Sequence, residues 1–147
     1  MRVDRFLSNL PCFNRKQVRL LLVEKRVRVD GKIVSDPHTE VREFNRIEVD
    51  NEVLQAGKPL RHFMLHKPAG CVSATQDPQH PTVLDLIHEP DKDELHIAGR
   101  LDFNTTGLML ITNDGSWSRR LTQPQTKLPK VYYVETEQDI GPEYAIK

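Results

Sequence analysis

The sequence predicts an α+β protein built from two small domains. Apolar residues recur at helical spacing in the first 22 residues, and an Asp-Gly turn then separates two short β-rich runs. Short apolar runs broken by proline- and glycine-containing turns fill the remainder. At 147 residues, with 37% hydrophobic and 29% charged residues, the chain has the composition of an ordinary globular protein. We therefore expect one helix-rich module followed by one sheet-rich module.

Two short helices are predicted at the N-terminus. The apolar residues of the first fall at i, i+3, i+4 and i+7: Val3, Phe6, Leu7 and Leu10. Asn14 is a favourable N-cap for the second helix, and Gln17 three residues later completes a capping-box pattern. Three apolar residues form the inner face of that helix: Val18, Leu21 and Leu22.

A β-hairpin follows the helices. The runs 27–29 and 32–34 flank Asp30-Gly31, a dipeptide that readily adopts the positive φ angles of a tight hairpin turn. We place the first domain at residues 1–50. Residues 51–60 lack periodicity and contain Gly57 and Pro59, which predicts an inter-domain linker. The second domain then spans 61–147.

The second domain alternates short strands and turns. We expect strands at 62–66 and 95–98, a turn at Lys67-Pro68-Ala69-Gly70, a polar loop at 77–82 and a short helix at 83–87. A buried strand at 108–111 leads to the turn Asn113-Asp114-Gly115. A helical turn is predicted at 117–121 and a last strand at 130–134.

Charge is unevenly distributed along the chain. The formal net charge is zero, but residues 1–35 hold nine basic side chains against three acidic ones. Such a basic end is typical of a phosphate-binding surface, although exposed basic residues on a helix are also common as a merely solvated face. The candidate RNA-binding residues are Arg2, Arg5, Arg15, Lys16, Arg19, Arg28 and Lys32, together with Arg119 and Arg120 in the second domain.

Asp102 is the candidate catalytic residue. It is predicted to lie in a loop that leads into the strand at 108–111. Arg100 lies two residues earlier and could keep a partly buried carboxylate ionised, as a nucleophile requires. An Arg-x-Asp triplet is also typical of a surface ion pair, and the residues alone leave both interpretations open.

Several classes of site are not predicted. Cys12 and Cys71 have no CxxC spacing, which argues against a disulfide or zinc site, and the histidines lack metal-ligand spacing. No signal peptide or membrane-spanning run is found, so a cytoplasmic protein is expected. We expect no metal, no cofactor and a monomer.

Three segments together resemble the signature of the RsuA and RluA superfamily of pseudouridine synthases: Gly99–Asp102, Thr105–Leu108 and Thr112–Gly115. The resemblance implies that Asp102 is the catalytic carboxylate, supported by Arg100, and that Lys67–Gly70 opens the catalytic domain. It matches Lys130 and Tyr132 to the superfamily's Lys-x-Tyr element, whose tyrosine stacks on the target base. No cofactor is implied.

Residues 1 to about 48 resemble an S-four-type RNA-binding domain. The appended domain, the loop 77–82 and the stretch 117–122 are most similar to the RsuA branch, which implies a uridine of 16S rRNA as substrate, presented in a partly assembled small subunit. Alternatives are a synthase for large-subunit rRNA or tRNA, and a non-catalytic RNA-binding fragment. An aspartyl-phosphate phosphatase would need a second acid where Asn104 stands.

Superfamily members continue for several dozen residues beyond the Lys-x-Tyr element. That stretch includes a Gly-Lys-x-x-Gln-Val-Arg-like segment that helps to close the active site, and it has no counterpart before Lys147. We therefore expect the chain to be a fragment with an incomplete cleft, and to be weakly active or inactive by itself.

Overall fold

The chain forms two compact units, Met1–His62 and Phe63–Lys147. The structure is a computed structural model, and it describes residues 1–144. Within that range, no helix has the length and apolar character needed to cross a membrane. Each unit folds around its own hydrophobic core.

Both predicted helices of the first unit are present. Helix α1 spans Val3–Ser8 and α2 spans Arg15–Val23. The capping box is formed at α2: the Asn14 side chain accepts a hydrogen bond from Gln17 N at 2.9 Å, and Gln17 Oε1 accepts one from Asn14 N at 2.8 Å. These bonds satisfy two backbone groups that helix geometry leaves without partners.

A four-stranded antiparallel sheet supports the helices. Its strands are β1 (Val27–Val29), β2 (Lys32–Ile33), β3 (Ile47–Val49) and β4 (Glu52–Gln55), in the order β2-β1-β3-β4. Asp30 and Gly31 have φ of 52° and 79°, as the predicted hairpin turn requires. The core of this unit is Val3, Leu7, Val18, Leu21, Leu22, Val27, Val29, Val41, Ile47 and Val49.

The expected linker at 51–60 is wrong for its first half, because β4 lies there and pairs with β3. Asp50 and Asn51, with φ of 51° and 66°, form the turn between the two strands. β4 is an edge strand, and Glu52 and Val53 are both exposed, so its sequence lacks the alternation that marks a half-buried strand. The first unit therefore contains a second hairpin.

The second unit is organised around a three-stranded sheet. Its strands are β5 (His62–Lys67), β6 (His96–Ala98) and β7 (Gly107–Thr112), in the order β5-β7-β6, with β6 antiparallel to β7. Helix α3 (Gly115–Thr122) follows β7. The expected short helix is a 3-10 turn at Val83–Leu86. The core is Cys71, Val83, Leu84, Ile87, Leu95, Met109 and Ile111.

The expected strand at 130–134 is not formed. Residues 127–136 have no regular secondary structure, and Val131 and Tyr133 are 95% and 87% exposed. A strand needs a neighbour to satisfy its backbone N–H and C=O groups, and no strand within residues 1–144 pairs with this segment. The high β-propensity of Val131-Tyr132-Tyr133-Val134 is therefore not sufficient to form a strand.

Candidate active site

Asp102 lies in the loop that joins β6 to β7. Its side chain is exposed, and the loop turns immediately after it, because Thr105 N donates a hydrogen bond to the backbone carbonyl of Asp102 at 3.0 Å. The carboxylate is therefore presented to solvent, in a loop that leads into a strand as the sequence predicts.

Lys67 ties the residues that follow Asp102 to the end of β5. Its side chain is 0% exposed, and its Nζ donates to the carbonyl oxygens of Pro68, Phe103 and Thr105 at 3.0, 3.0 and 2.8 Å. An ammonium group has three donors, and all three are used. This buried cation thus fixes the Asp102 loop against the Lys67–Gly70 turn, a contact that no sequence motif predicted.

Two further contacts hold the same loop. Gly70, with φ of 86°, donates its N–H to the Phe103 carbonyl at 2.9 Å. On the other side of Asp102, Ser73 Oγ donates to the Leu101 carbonyl at 2.6 Å and accepts from Leu101 N at 3.0 Å. The backbone is therefore held both before and after the candidate catalytic residue.

Arg100 does not pair with Asp102, contrary to expectation. Both side chains are exposed, and neither forms an ion pair with any residue in the described range 1–144. The expectation assumed a partly buried carboxylate. An exposed one is solvated by water and gains little from an exposed counter-ion, so nothing holds the two side chains together.

Lys130 and Tyr132 lie outside the sheet. Tyr132 is 61% exposed, and its side chain makes no hydrogen bond or ring contact with the residues that the structure describes. Within the described range, neither residue forms a hydrogen bond, an ion pair or a ring contact with the Asp102 loop. Their roles in base stacking and active-site support therefore stay predictions.

Phe103 is an aromatic residue at the site that was not among the sequence-predicted candidates. Its ring is 39% exposed and meets the ring of His80 edge to face at 5.3 Å. The His80 loop is shaped by Asp77, which accepts hydrogen bonds from the backbone N–H groups of Gln79 and His80, and these bonds lower the pKa of Asp77. The sequence feature that could have identified Phe103 is its position directly after the candidate catalytic acid.

The first unit has a basic groove beside α1 and α2. A cavity of about 490 Å³ is lined by Arg2, Arg5, Arg15 and Arg19, among other residues. Arg2 Nη2 donates a hydrogen bond to Asp4 Oδ2 at 2.6 Å, and this guanidinium holds the pKa of the Asp4 carboxyl below its usual value. The other three arginines form no ion pair within residues 1–144 and can meet phosphates.

The remaining candidate RNA-binding residues are exposed as expected. Lys16 lies on α2, Arg28 and Lys32 flank the β1–β2 turn, and Arg119 and Arg120 lie in the last turn of α3. Within residues 1–144, no three His, Cys, Asp or Glu side chains cluster as metal ligands would.

Comparison with known proteins identifies the family of each part of the chain. Residues 61–147 match the RNA pseudouridylate synthase family, and residues 1–47 match the S4 domain. The chain therefore belongs to the RNA pseudouridylate synthase family and carries an N-terminal S4 domain.

Curated relatives carry the name ribosomal small subunit pseudouridine synthase A. The protein of that name from Pseudomonas aeruginosa is 62% identical over 144 residues, which is 98% of this chain and 63% of the relative. Those from Yersinia pestis and Escherichia coli are 42% and 39% identical over 145 residues, covering 99% of this chain and 62% and 63% of the relatives. The chain thus spans about 63% of the length of these relatives.

One solved structure, described as a crystal structure of pseudouridylate synthase, is 34% identical to the chain. The match covers 85% of this chain and 54% of the chain in the solved structure, and its TM-score is 0.43.

Proposed function

We propose that the protein isomerises a uridine of 16S rRNA to pseudouridine, with Asp102 as the catalytic carboxylate. The observation that carries the proposal is the placement of Asp102: its side chain is exposed, while the backbone on both sides of it is held by Ser73 and Lys67. A catalytic group must be presented to its substrate and also be fixed in position. Membership of the RNA pseudouridylate synthase family supports the same reaction.

The reaction is an isomerisation that balances within one nucleotide. The bond from ribose C1' to uracil N1 breaks, the base rotates, and a bond forms from C1' to C5. The hydrogen at C5 leaves as a proton, and N1 gains one, so no electrons are exchanged and no co-reactant is needed. Asp102 would attack C1' or C6, or remove a proton from the sugar to give a glycal. All three routes are open to an exposed carboxylate.

The target base must leave its stack to reach Asp102. We propose that Tyr132 provides a stacking surface for it, an interaction worth ~1 to 3 kcal/mol per base, with Arg100 and Lys130 as supporting charges. The S4 domain would bring the RNA, through phosphate contacts made by the arginines of the basic groove. The names of the relatives support the ribosomal small subunit as the target. The 16S rRNA of a partly assembled small subunit is what the resemblance to the RsuA branch implies.

The test is the release of tritium from 16S rRNA labelled at uridine C5, using the chain, whose own release is expected to be slow, a longer protein that contains it, and the Asp102→Asn variant of each. We expect Asp102→Asn to lower the rate by about 10³-fold or more, as loss of a catalytic nucleophile does. Asp93→Asn, which removes another exposed carboxylate of the same unit, is the matched control and should leave the rate unchanged.

The alternatives predict different outcomes. Faster release from large-subunit rRNA or tRNA than from 16S rRNA would favour a different substrate. RNA binding without release, both by this chain and by a longer protein that contains it, would favour a non-catalytic RNA-binding module. An Asp102→Asn variant with full activity would remove Asp102 from the mechanism.

A further inference from the structure

Ser73 is a buried hydroxyl that serves the Asp102 loop. It lies three residues after the Gly70 turn that follows β5, and it is 3% exposed. No motif in the sequence marks it, and it takes no part in the bond breaking and bond making of the proposed reaction.

The Ser73 hydroxyl satisfies both backbone groups of one residue. Its Oγ–H donates to the Leu101 carbonyl at 2.6 Å, and its oxygen accepts from Leu101 N at 3.0 Å. Oγ also lies 3.9 Å from the sulfur of Met109, which is 2% exposed in the core of the second unit. Ser73 therefore connects the backbone of Leu101 to the interior of the unit.

Fixing Leu101 limits the directions in which Asp102 can point. The Leu101 carbonyl lies in the peptide plane that also contains N and Cα of Asp102, so a bond to that carbonyl restricts rotation of this plane. The Leu101 side chain is itself packed against the core. After Asp102, the carbonyls of Phe103 and Thr105 are held by Lys67. Ser73 supplies the corresponding restraint before Asp102.

We infer that Ser73 is a positioning residue for Asp102. Its consequence for catalysis rests on the proposed function, whereas its effect on the Asp102 loop does not. A hydroxyl that holds both the donor and the acceptor of Leu101 fixes the backbone from which the carboxylate of Asp102 projects towards the reacting nucleotide.

The first measurement is made on the chain itself by NMR. In Ser73→Ala, we expect the Leu101 amide to exchange with solvent at least about tenfold faster and the backbone signals of Asp102 to shift. Amides of the paired strands β6 and β7, such as Ile97 and Ile111, should keep their protection, which separates a local effect from loss of the fold. Unchanged Leu101 exchange and Asp102 signals would overturn the inference.

Ser118→Ala is the matched control. Ser118 is 8% exposed on α3, and its side chain forms no hydrogen bond among the residues that the structure describes. This variant also removes a buried serine hydroxyl from the second unit, and it should leave the exchange of Leu101 unchanged. Faster Leu101 exchange in Ser118→Ala would show that any buried hydroxyl has this effect, and would count against Ser73.

The second measurement separates positioning from general stability. With labelled 16S rRNA, Ser73→Ala should lower kcat by about 10- to 100-fold with little change in KM, as expected for a misplaced catalytic group. An unchanged kcat in a folded variant would refute the positioning role. Absence of tritium release from a longer protein that contains the chain would count against the proposed function, and the NMR result on this chain would still decide the role of Ser73.

If the alanine variant does not fold, Ser73→Cys replaces it in both measurements. The sulfur of cysteine is larger than oxygen and is a weaker donor and acceptor, so both bonds to Leu101 should lengthen and weaken without being abolished. We expect intermediate Leu101 exchange and an intermediate kcat. Values equal to those of the unmodified chain would contradict the inference.

Discussion

At the scale of single residues, the most consequential side chain is a lysine that does not reach solvent. Lys67 is fully buried, and burial of an unpaired ammonium group would be very costly. Three backbone carbonyls compensate, two of them 36 and 38 residues further along the chain. The residue therefore works as a crosslink between the end of β5 and the Asp102 loop, although it resembles an ordinary turn lysine in the sequence.

Lys67→Met keeps the length of the side chain but removes the ammonium group. We expect the free energy of unfolding of the second unit to fall by about 2 to 4 kcal/mol, because carbonyls that accepted charged hydrogen bonds lose their donor. Trp117 is the single tryptophan and lies on α3 of this unit, so urea unfolding can be followed by its fluorescence. Lys92→Met, which removes a lysine from a surface turn of the same unit, should change stability by less than about 0.5 kcal/mol. Equal effects of the two variants would show that the carbonyl contacts of Lys67 are unimportant.

At the scale of elements, the β1–β2 turn is held by more than its own backbone. Asp30 Oδ1 accepts a hydrogen bond from Arg46 N at 2.8 Å, and Oδ2 accepts one from the side chain of Asn45 at 2.7 Å. The bond from Arg46 N, followed by that from Asn45, lowers the pKa of Asp30 below its ordinary value of 3.8. The turn residue thus attaches the hairpin to the segment that enters β3.

This lowered pKa sets a direction for the pH dependence of the first unit. Because the folded pKa lies below the unfolded one, the ionised Asp30 stabilises the fold above its ordinary pKa of 3.8, and this contribution disappears as the pH falls through the folded pKa. The Asp30→Asn variant should therefore have a lower free energy of unfolding than the parent at pH 7. In strong acid, where Asp30 of the parent is protonated, the two free energies should be closer to each other. Urea unfolding followed by the NMR signals of α2 and β1 measures both.

Glu52→Gln is the control for the Asp30 variant. Glu52 is an exposed carboxylate on β4 of the same unit, and its side chain makes no hydrogen bond within the described residues. Its removal should leave the acid sensitivity of the unit unchanged. A similar change in both variants would mean that general charge, and not the two hydrogen bonds, accounts for the effect of Asp30.

At the scale of the whole molecule, the net charge of zero is the sum of two units that present different charged groups. The first unit presents a groove with three arginines that form no ion pair within residues 1–144, whereas the second presents an exposed carboxylate on a restrained loop. We expect the double variant Arg15→Gln, Arg19→Gln to bind 16S rRNA more weakly. Its affinity should also depend less steeply on salt: the magnitude of the slope of log affinity against log salt should fall by about 2, or near one for each phosphate that is no longer neutralised. Fluorescence anisotropy at several salt concentrations measures both quantities.

Arg46→Gln controls for the removal of positive charge from the same unit. The guanidinium of Arg46 already pairs with Glu48 at 3.2 Å, so its removal should alter the salt slope much less. If it lowered the slope as much as a groove arginine does, the binding surface would not be the groove.

Much of the secondary structure was predictable because its causes are local. The capping box of α2, the Asp-Gly turn and the apolar spacing of α1 each depend on residues within a few positions of one another, and each is present. The position of Asp102 in a loop between two strands also followed from the order of short motifs. In such cases neighbouring side chains already determine the backbone conformation.

Tertiary structure decided what depends on distant partners. The segment 130–134 has the composition of a strand but no neighbouring strand within residues 1–144, whereas β4 has little strand pattern but pairs with β3. Ser73 meets Leu101 across 28 residues, and Lys67 meets Thr105 across 38. The position of Asp102 in a loop is thus predictable from the sequence. The restraints on the backbone around it arise only when the chain folds and brings separate segments into hydrogen-bond distance.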